Sequence, residues 1–212
     1  MDRVTGIILA GGVSKRLDYK NKALLNIGNK SVIEYVICAL SQVTANILLI
    51  TNSPSEFGYL GLPMFQDIPP GSGSLGGIYT GLRVSETYHN LIVACDMPFI
   101  RPYLLTFLIE HSENYDVVIP VTPDGHHPTC AVYSKSCIEP IESQIRAGNL
   151  KISDFFPHVR VNRMNFGTLC PCYDPNMFFN INTREDYSKA LSIASGHRDQ
   201  AASWRKHTQY SS

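Results

Sequence analysis

Short apolar runs alternate along this chain with stretches in which apolar residues recur at helical spacing. Gly6-Ile-Ile-Leu9 is short, β-branched and cut off by Gly11-Gly12, so it reads as a buried strand. Asn46-Ile-Leu-Leu-Ile-Thr51, Leu62-Pro-Met-Phe65, Asn90-Leu-Ile-Val-Ala-Cys95, Asp116-Val-Val-Ile-Pro120, Cys130-Ala-Val-Tyr133 and His158-Val-Arg-Val-Asn162 read as further strands. Residues 31–40 place Val32, Ile33, Val36, Ile37 and Leu40 on one helical face behind a capping Ser31. Helices are also predicted over 78–84, 102–111, 135–147, 151–156 and 184–194, the last opened by a capping box of Thr183 and Asp186. Strands alternating with helices predict right-handed βαβ units, hence an α/β fold with a mostly parallel central sheet.

Length and charge narrow the picture. At 212 residues the chain is the size of one large domain, which we place at 1–195, followed by a polar, unpatterned tail over 196–212. Eighteen basic and eighteen acidic side chains cancel, so no whole-protein field draws the chain to nucleic acid or to an anionic membrane, and any anion site must be local. The N-terminus lacks a signal pattern and no long uninterrupted apolar run occurs, so a soluble, cytoplasmic protein is expected. The six cysteines are expected as reduced thiols. Cys170-Pro-Cys172 lacks the second pair, or the histidines at ligand spacing, that zinc would need.

Candidate chemistry gathers where strands end. After Leu9-Ala10-Gly11-Gly12 come Ser14, Lys15, Arg16, Lys20 and Lys22, with one carboxylate, Asp18, among them. Glycines admit a ligand close to the backbone, free amides and a hydroxyl can wrap phosphate oxygens, and the cations neutralise them, a combination that suits a polyphosphate. A tight strand-to-helix turn with surface lysines would look the same. The spacing fits neither the dinucleotide Gly-x-Gly-x-x-Gly fingerprint nor a Walker loop. Asn52 ends one strand and Asp67 follows another. The run from Ile68 to Gly77 is too glycine-rich for a packed element and reads as a ligand-covering loop or a flexible connection. Asp96, after an apolar strand, is either a magnesium ligand or a cap for the next helix. His126-His127 follows a turn and reads as solvated or functional.

The loop from Leu9 to Leu25 resembles the signature Leu-Ala-Gly-Gly-x-Ser-x-Arg-Met-Gly-x-Asp-Lys-x-Leu-Leu of the molybdenum cofactor guanylyltransferase family. Leu17, Asp18 and Asn21 depart from it, standing where the family has Met, Gly and Asp. Three later stretches resemble the family in order. Gly73-Ser-Leu-Gly-Gly-Ile78 matches Gly-Pro-Leu-x-Gly-Ile, Cys95-Asp96-Met-Pro98-Phe-Ile100 matches Cys-Asp-x-Pro-Tyr/Phe-Ile/Val, and Phe178-Phe-Asn180-Ile-Asn182-Thr183 matches Phe-x-Asn-x-Asn-Thr. His127-Pro128 follows the family's Asp-Gly as well.

The resemblance implies a Rossmann-like, three-layer nucleotidyltransferase fold and transfer of GMP from GTP to Mo-molybdopterin with release of pyrophosphate. It implies Leu9, Ala10, Gly11, Gly12, Lys22, Asn52, Asp67 and Asp96 as GTP-binding residues and Arg16, Lys22 and Asp96 as catalytic, Arg16 serving the leaving group. Asp96 is the implied Mg2+ ligand, and His127, Pro128, Asn180 and Asn182 line the acceptor side. GTP and Mo-molybdopterin are the expected partners, with other molybdenum cofactor biosynthesis proteins or apo-molybdoenzyme chaperones beside them. Asp67 can accept both adjacent donors of guanine, and the loop lacks the Thr-Ala-Ala-Gly start of the cytidylyl branch, so GTP is expected over CTP. The alternatives are a cytidylyltransferase for the same cofactor, a sugar-phosphate nucleotidyltransferase, or a nucleotide-binding adaptor without catalysis.

Overall fold

A computed structural model describes residues 4–11, 21–68, 70–169 and 173–208, with the backbone alone at 167, 169 and 197–208. In chain order the elements are β1 (Val4–Leu9), β2 (Asn26–Ile27), β3 (Lys30–Ser31), α1 (Val32–Leu40), β4 (Ile47–Ile50), α2 (Pro54–Phe57), β5 (Met64–Phe65) and α3 (Gly73–Val84). The second half adds β6 (His89–Ala94), α4 (Pro102–Glu110), β7 (Val117–Thr122), β8 (Gly125–His126), β9 (Cys130–Ser134), α5 (Ile138–Arg146), β10 (Val161–Asn165), α6 (Phe166–Leu169) and α7 (Arg184–Thr208).

The central sheet runs β10-β7-β9-β6-β1-β4-β5, with β8 folded back on β7. β1 lies parallel to both β4 and β6, and β7 lies parallel to β10. β9 is antiparallel to β6 and to β7, so one reversed strand joins two parallel halves. The expected α/β fold with a mostly parallel sheet is what the chain adopts. The chain builds outward from β1 through β4 to β5, then crosses back to place β6 on the other side of β1. That reversal opens a crevice beyond the carboxyl ends of β1 and β6.

Alternation along the strands makes the layers. Ile8, Leu49, Leu91 and Val93 face α1 and α4 with Ile33, Val36, Leu40, Leu104 and Leu108. Ile7, Leu9, Ile50 and Ile92 face the other way, onto Leu75, Ile78 and Leu82 of α3 and Ile141 of α5. Burying such a side chain contributes about 1.5–3 kcal/mol, so these two faces account for most of what holds the sheet. A third, smaller cluster of Ile27, Val32, Phe99, Ile181 and Ala190 fastens the β2–β3 hairpin and α7 to the body.

Three expectations need correction. The glycine-rich run is not wholly a loop: α3 begins at Gly73, inside it, and Leu75, Gly76 and Gly77 are buried. The glycines are needed because the helix lies directly on β1. A Cβ at Gly81 would stand 2.7 Å from Ile7 Cγ2, and one at Gly77 3.1 Å from Leu9 Cδ2. Residues 152–158 form a 3-10 helix, which moves the strand expected over 158–162 to Val161–Asn165. The last helix does not stop at 194, and the polar stretch expected as a tail is helical through Thr208. After Gly196 that stretch carries Gln200, Ala201, Ala202, Arg205 and Lys206 and no proline, so propensity sustains a helix without an apolar stripe.

Candidate functional site

The crevice holds a cavity of about 770 Å³ whose walls come from the ends of β1, β4, β5 and β6, the start of α3 and the segment before α7. At the end of β1, Ala10 N donates to Ile50 O at 2.8 Å, and Leu9 O accepts from Cys95 N at 3.1 Å. Leu9, Ala10 and Gly11 therefore line the cavity on a turn held from both sides. Among the described residues beyond its chain neighbours, the atom nearest to a Cβ built on Gly11 is Asp67 Oδ2, at 3.8 Å, so none of them demands this glycine. Gly12, Ser14, Lys15, Arg16, Leu17, Asp18, Lys20, Cys170 and Cys172 lie outside the described residues.

Lys22 stands on a 3-10 turn, Lys22–Leu24, whose cap is Asn21: Asn21 Oδ1 accepts from Ala23 N at 3.1 Å. Its ammonium meets the carboxylate of Asp96 and donates to Asn182 Oδ1 at 2.7 Å. Asp96 follows β6, and its carbonyl accepts from Ile181 N at 3.0 Å, which draws the 180–182 segment across the cavity floor. Asn182 is fixed from behind by the expected capping box. Asp186 Oδ2 accepts from the amides of Asn182 and Thr183, each at 2.9 Å, and Asp186 N donates to Thr183 Oγ1. Burial pushes the Asp186 carboxyl up, but those amides and the hydroxyl outweigh it and hold the group below its ordinary value.

Asp96 Oδ2 is engaged by Lys22, whereas Oδ1 is buried and has no hydrogen-bond partner among the described residues. The alternative role of Asp96 as a helix cap fails, because Arg101 holds that position at α4. Among the described residues no group of three or more His, Cys, Asp or Glu side chains is placed to hold a metal. Beside Asp96, the Cys95 thiol is pushed up to about 12 by burial, so it is a neutral wall and not a nucleophile. Cys38, Cys95, Cys130 and Cys137 are all free thiols.

At the other end of the cavity Asn52 and Asp67 pair reciprocally. Asn52 Nδ2 donates to Asp67 Oδ2 at 2.9 Å, and Asp67 N donates to Asn52 Oδ1 at 3.2 Å. Asn180 also lines the cavity, its amide donating to Phe178 O at 3.0 Å. His127 and Pro128 are not in the lining. The His127 ring stacks on Phe178 with centroids 4.1 Å apart, and its Nε2 lies 2.8 Å from Thr122 Oγ1. Burial pushes its pKa down, which leaves the imidazole neutral. Pro128 O accepts from the buried Tyr133 hydroxyl at 2.6 Å, and Thr129 reaches the cavity in their place. Sequence reasoning passed over Glu56, Ser74 and Thr129 as lining residues, and took Asn21 only as a departure from a motif.

A family model described as the MobA-like NTP transferase domain matches residues 6–159. The chain belongs to this family. Over 200 residues it is 42% identical to a protein of Pelotomaculum thermopropionicum named probable molybdenum cofactor guanylyltransferase, covering 93% of this chain and 97% of that one. A protein of Carboxydothermus hydrogenoformans with the same name is 37% identical over 196 residues, covering 92% and 98%. The crystal structure of molybdopterin-guanine dinucleotide biosynthesis protein A from Archaeoglobus fulgidus superposes with a TM-score of 0.78 at 26% identity, covering 91% of this chain and all of that one. The likeness to molybdenum cofactor guanylyltransferases read from the loop is thereby borne out, and this MobA-like chain is a nucleotidyltransferase. Among its described residues no helix is long and apolar enough to cross a membrane.

Proposed function

We propose that the chain transfers GMP from GTP to the terminal phosphate of Mo-molybdopterin, forming molybdopterin guanine dinucleotide and releasing pyrophosphate. The relatives' names support the reaction. The observation that carries it for this chain is the meeting of Lys22, Asp96 and Asn182 on the floor of a cavity whose far end holds the Asn52–Asp67 pair. One end thus offers charge to phosphates, and the other offers a hydrogen-bonding edge to a base.

Transfer needs an acceptor oxyanion set in line with the departing pyrophosphate and cations to hold the growing charge. Gly11 leaves room for phosphate oxygens beside the backbone, and the Lys22 ammonium is held at the same floor by Asp96 and Asn182. We assign Arg16 to the leaving group with Lys22. No side chain has to remove a proton, because a phosphate acceptor is already ionised.

Magnesium takes one or two carboxylates together with water and phosphate oxygens, so a single buried carboxylate whose Oδ1 has no partner among the described residues fits it. Asp96 would hold the ion, which when bound supplies neutralisation of phosphoryl charge. Asn180 and Asn182 face the acceptor, and His127 and Pro128 support that side through Phe178 and the turn at Thr129. Asp67 accepts the two adjacent donors of guanine. The free thiols of Cys38, Cys95, Cys130 and Cys137 support the cytoplasm as its compartment.

Pyrophosphate release by the purified chain, with and without Mo-molybdopterin and with GTP, CTP or ATP, tests the reading. Release with GTP that depends on the pterin is expected. Equal use of CTP would overturn the guanylyl assignment, release without the pterin would overturn the acceptor, and GTP binding with no release would make the chain an adaptor.

A further inference from the structure

Glu56 has no part in the reaction so far described, yet it lines the same cavity from α2, the short helix after β4. Its carboxylate accepts from Asn21 Nδ2 at 2.5 Å, across 35 residues of sequence. The other end of the same amide, Asn21 Oδ1, caps the turn that carries Lys22. Asn21 is thus held at both ends, by the turn it caps and by α2. Glu56 is a firm anchor because the next residue, Phe57, is fully buried in the core. Lys22 itself is a long, flexible side chain, so its ammonium is confined jointly by its two contacts on the cavity floor and by the turn from which the side chain starts.

We propose that Glu56 is a positioning residue: acting through Asn21, it fixes the Lys22 turn and so sets the grip on the triphosphate. The inference rests on the reading of this cavity as a triphosphate site. It also gives Asn21 a physical reason. An aspartate there would set two carboxylates against each other, whereas an amide donates to Glu56 and caps the turn at once.

The test separates positioning from charge, because the two predict opposite signs. Glu56→Ala removes a negative charge from the lip of an anion site, and electrostatics alone would tighten phosphate binding. Positioning predicts weaker binding, by about tenfold, since a displaced ammonium loses a charge-assisted contact. Inorganic tripolyphosphate, titrated calorimetrically into the full chain, is the probe. Asn21→Asp should weaken it at least as much. Asn21→Asp combined with Glu56→Gln restores the bond with donor and acceptor exchanged and keeps the pair's total charge, and should recover affinity to within about threefold. Equal or tighter binding by Glu56→Ala, or a double variant no better than Asn21→Asp, overturns the inference. In GTP turnover, the loss should fall on KM more than on kcat and be rescued by the same double variant. Because tripolyphosphate binding needs neither base nor pterin, the inference can fail while GMP transfer stands, and the reverse.

Discussion

Two carboxylates of equal exposure, 10% of the side chain each, sit at opposite ends of two interior strands, β6 and β7, and are treated in opposite ways. Asp116, just before β7, has both oxygens occupied. Its Oδ2 accepts from Arg160 N at 2.9 Å and Nε at 3.2 Å, and its Oδ1 accepts from Arg160 Nη2 at 3.4 Å and Ser134 Oγ at 3.3 Å. Asp96, just after β6, engages Lys22 through Oδ2 and leaves Oδ1 buried with no partner among the described residues. Burial is matched, so burial does not explain the difference. Position does: Asp96 lies at the carboxyl end of its strand, where a ligand enters, and Asp116 at the amino end, where none is needed. An unpaired buried oxygen costs about 1–3 kcal/mol, and a fold keeps such a cost where something from outside removes it.

The comparison breaks first, and most visibly, at Asp96. Asp96→Asn keeps the shape but loses the charge, and turnover in the pyrophosphate assay should fall by roughly a hundredfold or more while the melting temperature barely moves. A large loss of stability with normal turnover would make Asp96 a second Asp116. A smaller effect belongs to Asp67, which is tied to a neutral amide instead of a cation. Asp67→Ala should reduce the preference for GTP over CTP by about tenfold in a direct competition, with total turnover less affected. Unchanged discrimination would remove Asp67 from the base subsite.

The smallest effect is expected at Asp116, and it should be seen in stability alone. Burial pushes this carboxyl up, but the bonds and charge of Arg160 and the Ser134 hydroxyl pull it further down, to a net value below the ordinary one. A carboxyl depressed in the folded state stabilises the fold above its unfolded pKa, and that contribution is lost as pH falls through the folded value. Asp116→Asn should therefore melt a few degrees lower at neutral pH. The gap from the unaltered protein should close as the solution is acidified below the usual aspartate range. A gap constant with pH would mean that shape, and not charge, is what Asp116 supplies.

Much of this was legible because strands announce themselves locally. The apolar run before Asp96 and the amides before Thr183 could be read from a few residues each. What stayed hidden depends on contacts remote in sequence. The start of α3 was misread because its glycines look like punctuation until β1 is seen beneath Gly77 and Gly81. Glu56 goes unread in the sequence, since nothing near it in the chain signals Asn21. His127 was placed in the cleft, but the ring is spent on Phe178, and a stack between residues 127 and 178 has no local signature.

Lys22, Asp96 and Asn182 come from widely separated stretches, so a chain under synthesis acquires them in turn. Lys22 and Asp96 emerge while β9, the strand that joins the two halves of the sheet, has yet to be made. Asn182 comes 86 residues after Asp96 (182 − 96), a delay on the order of 4–17 s at translation rates of about 5–20 residues per second. Through that interval the nascent chain has the ion pair of Lys22 and Asp96 but lacks the two amides, Asn180 and Asn182, that line the same cavity. The hydrogen-bonded group of Lys22, Asp96 and Asn182 is therefore completed in a single late step, when the 180–182 segment is made and Ile181 N can bond the carbonyl of Asp96.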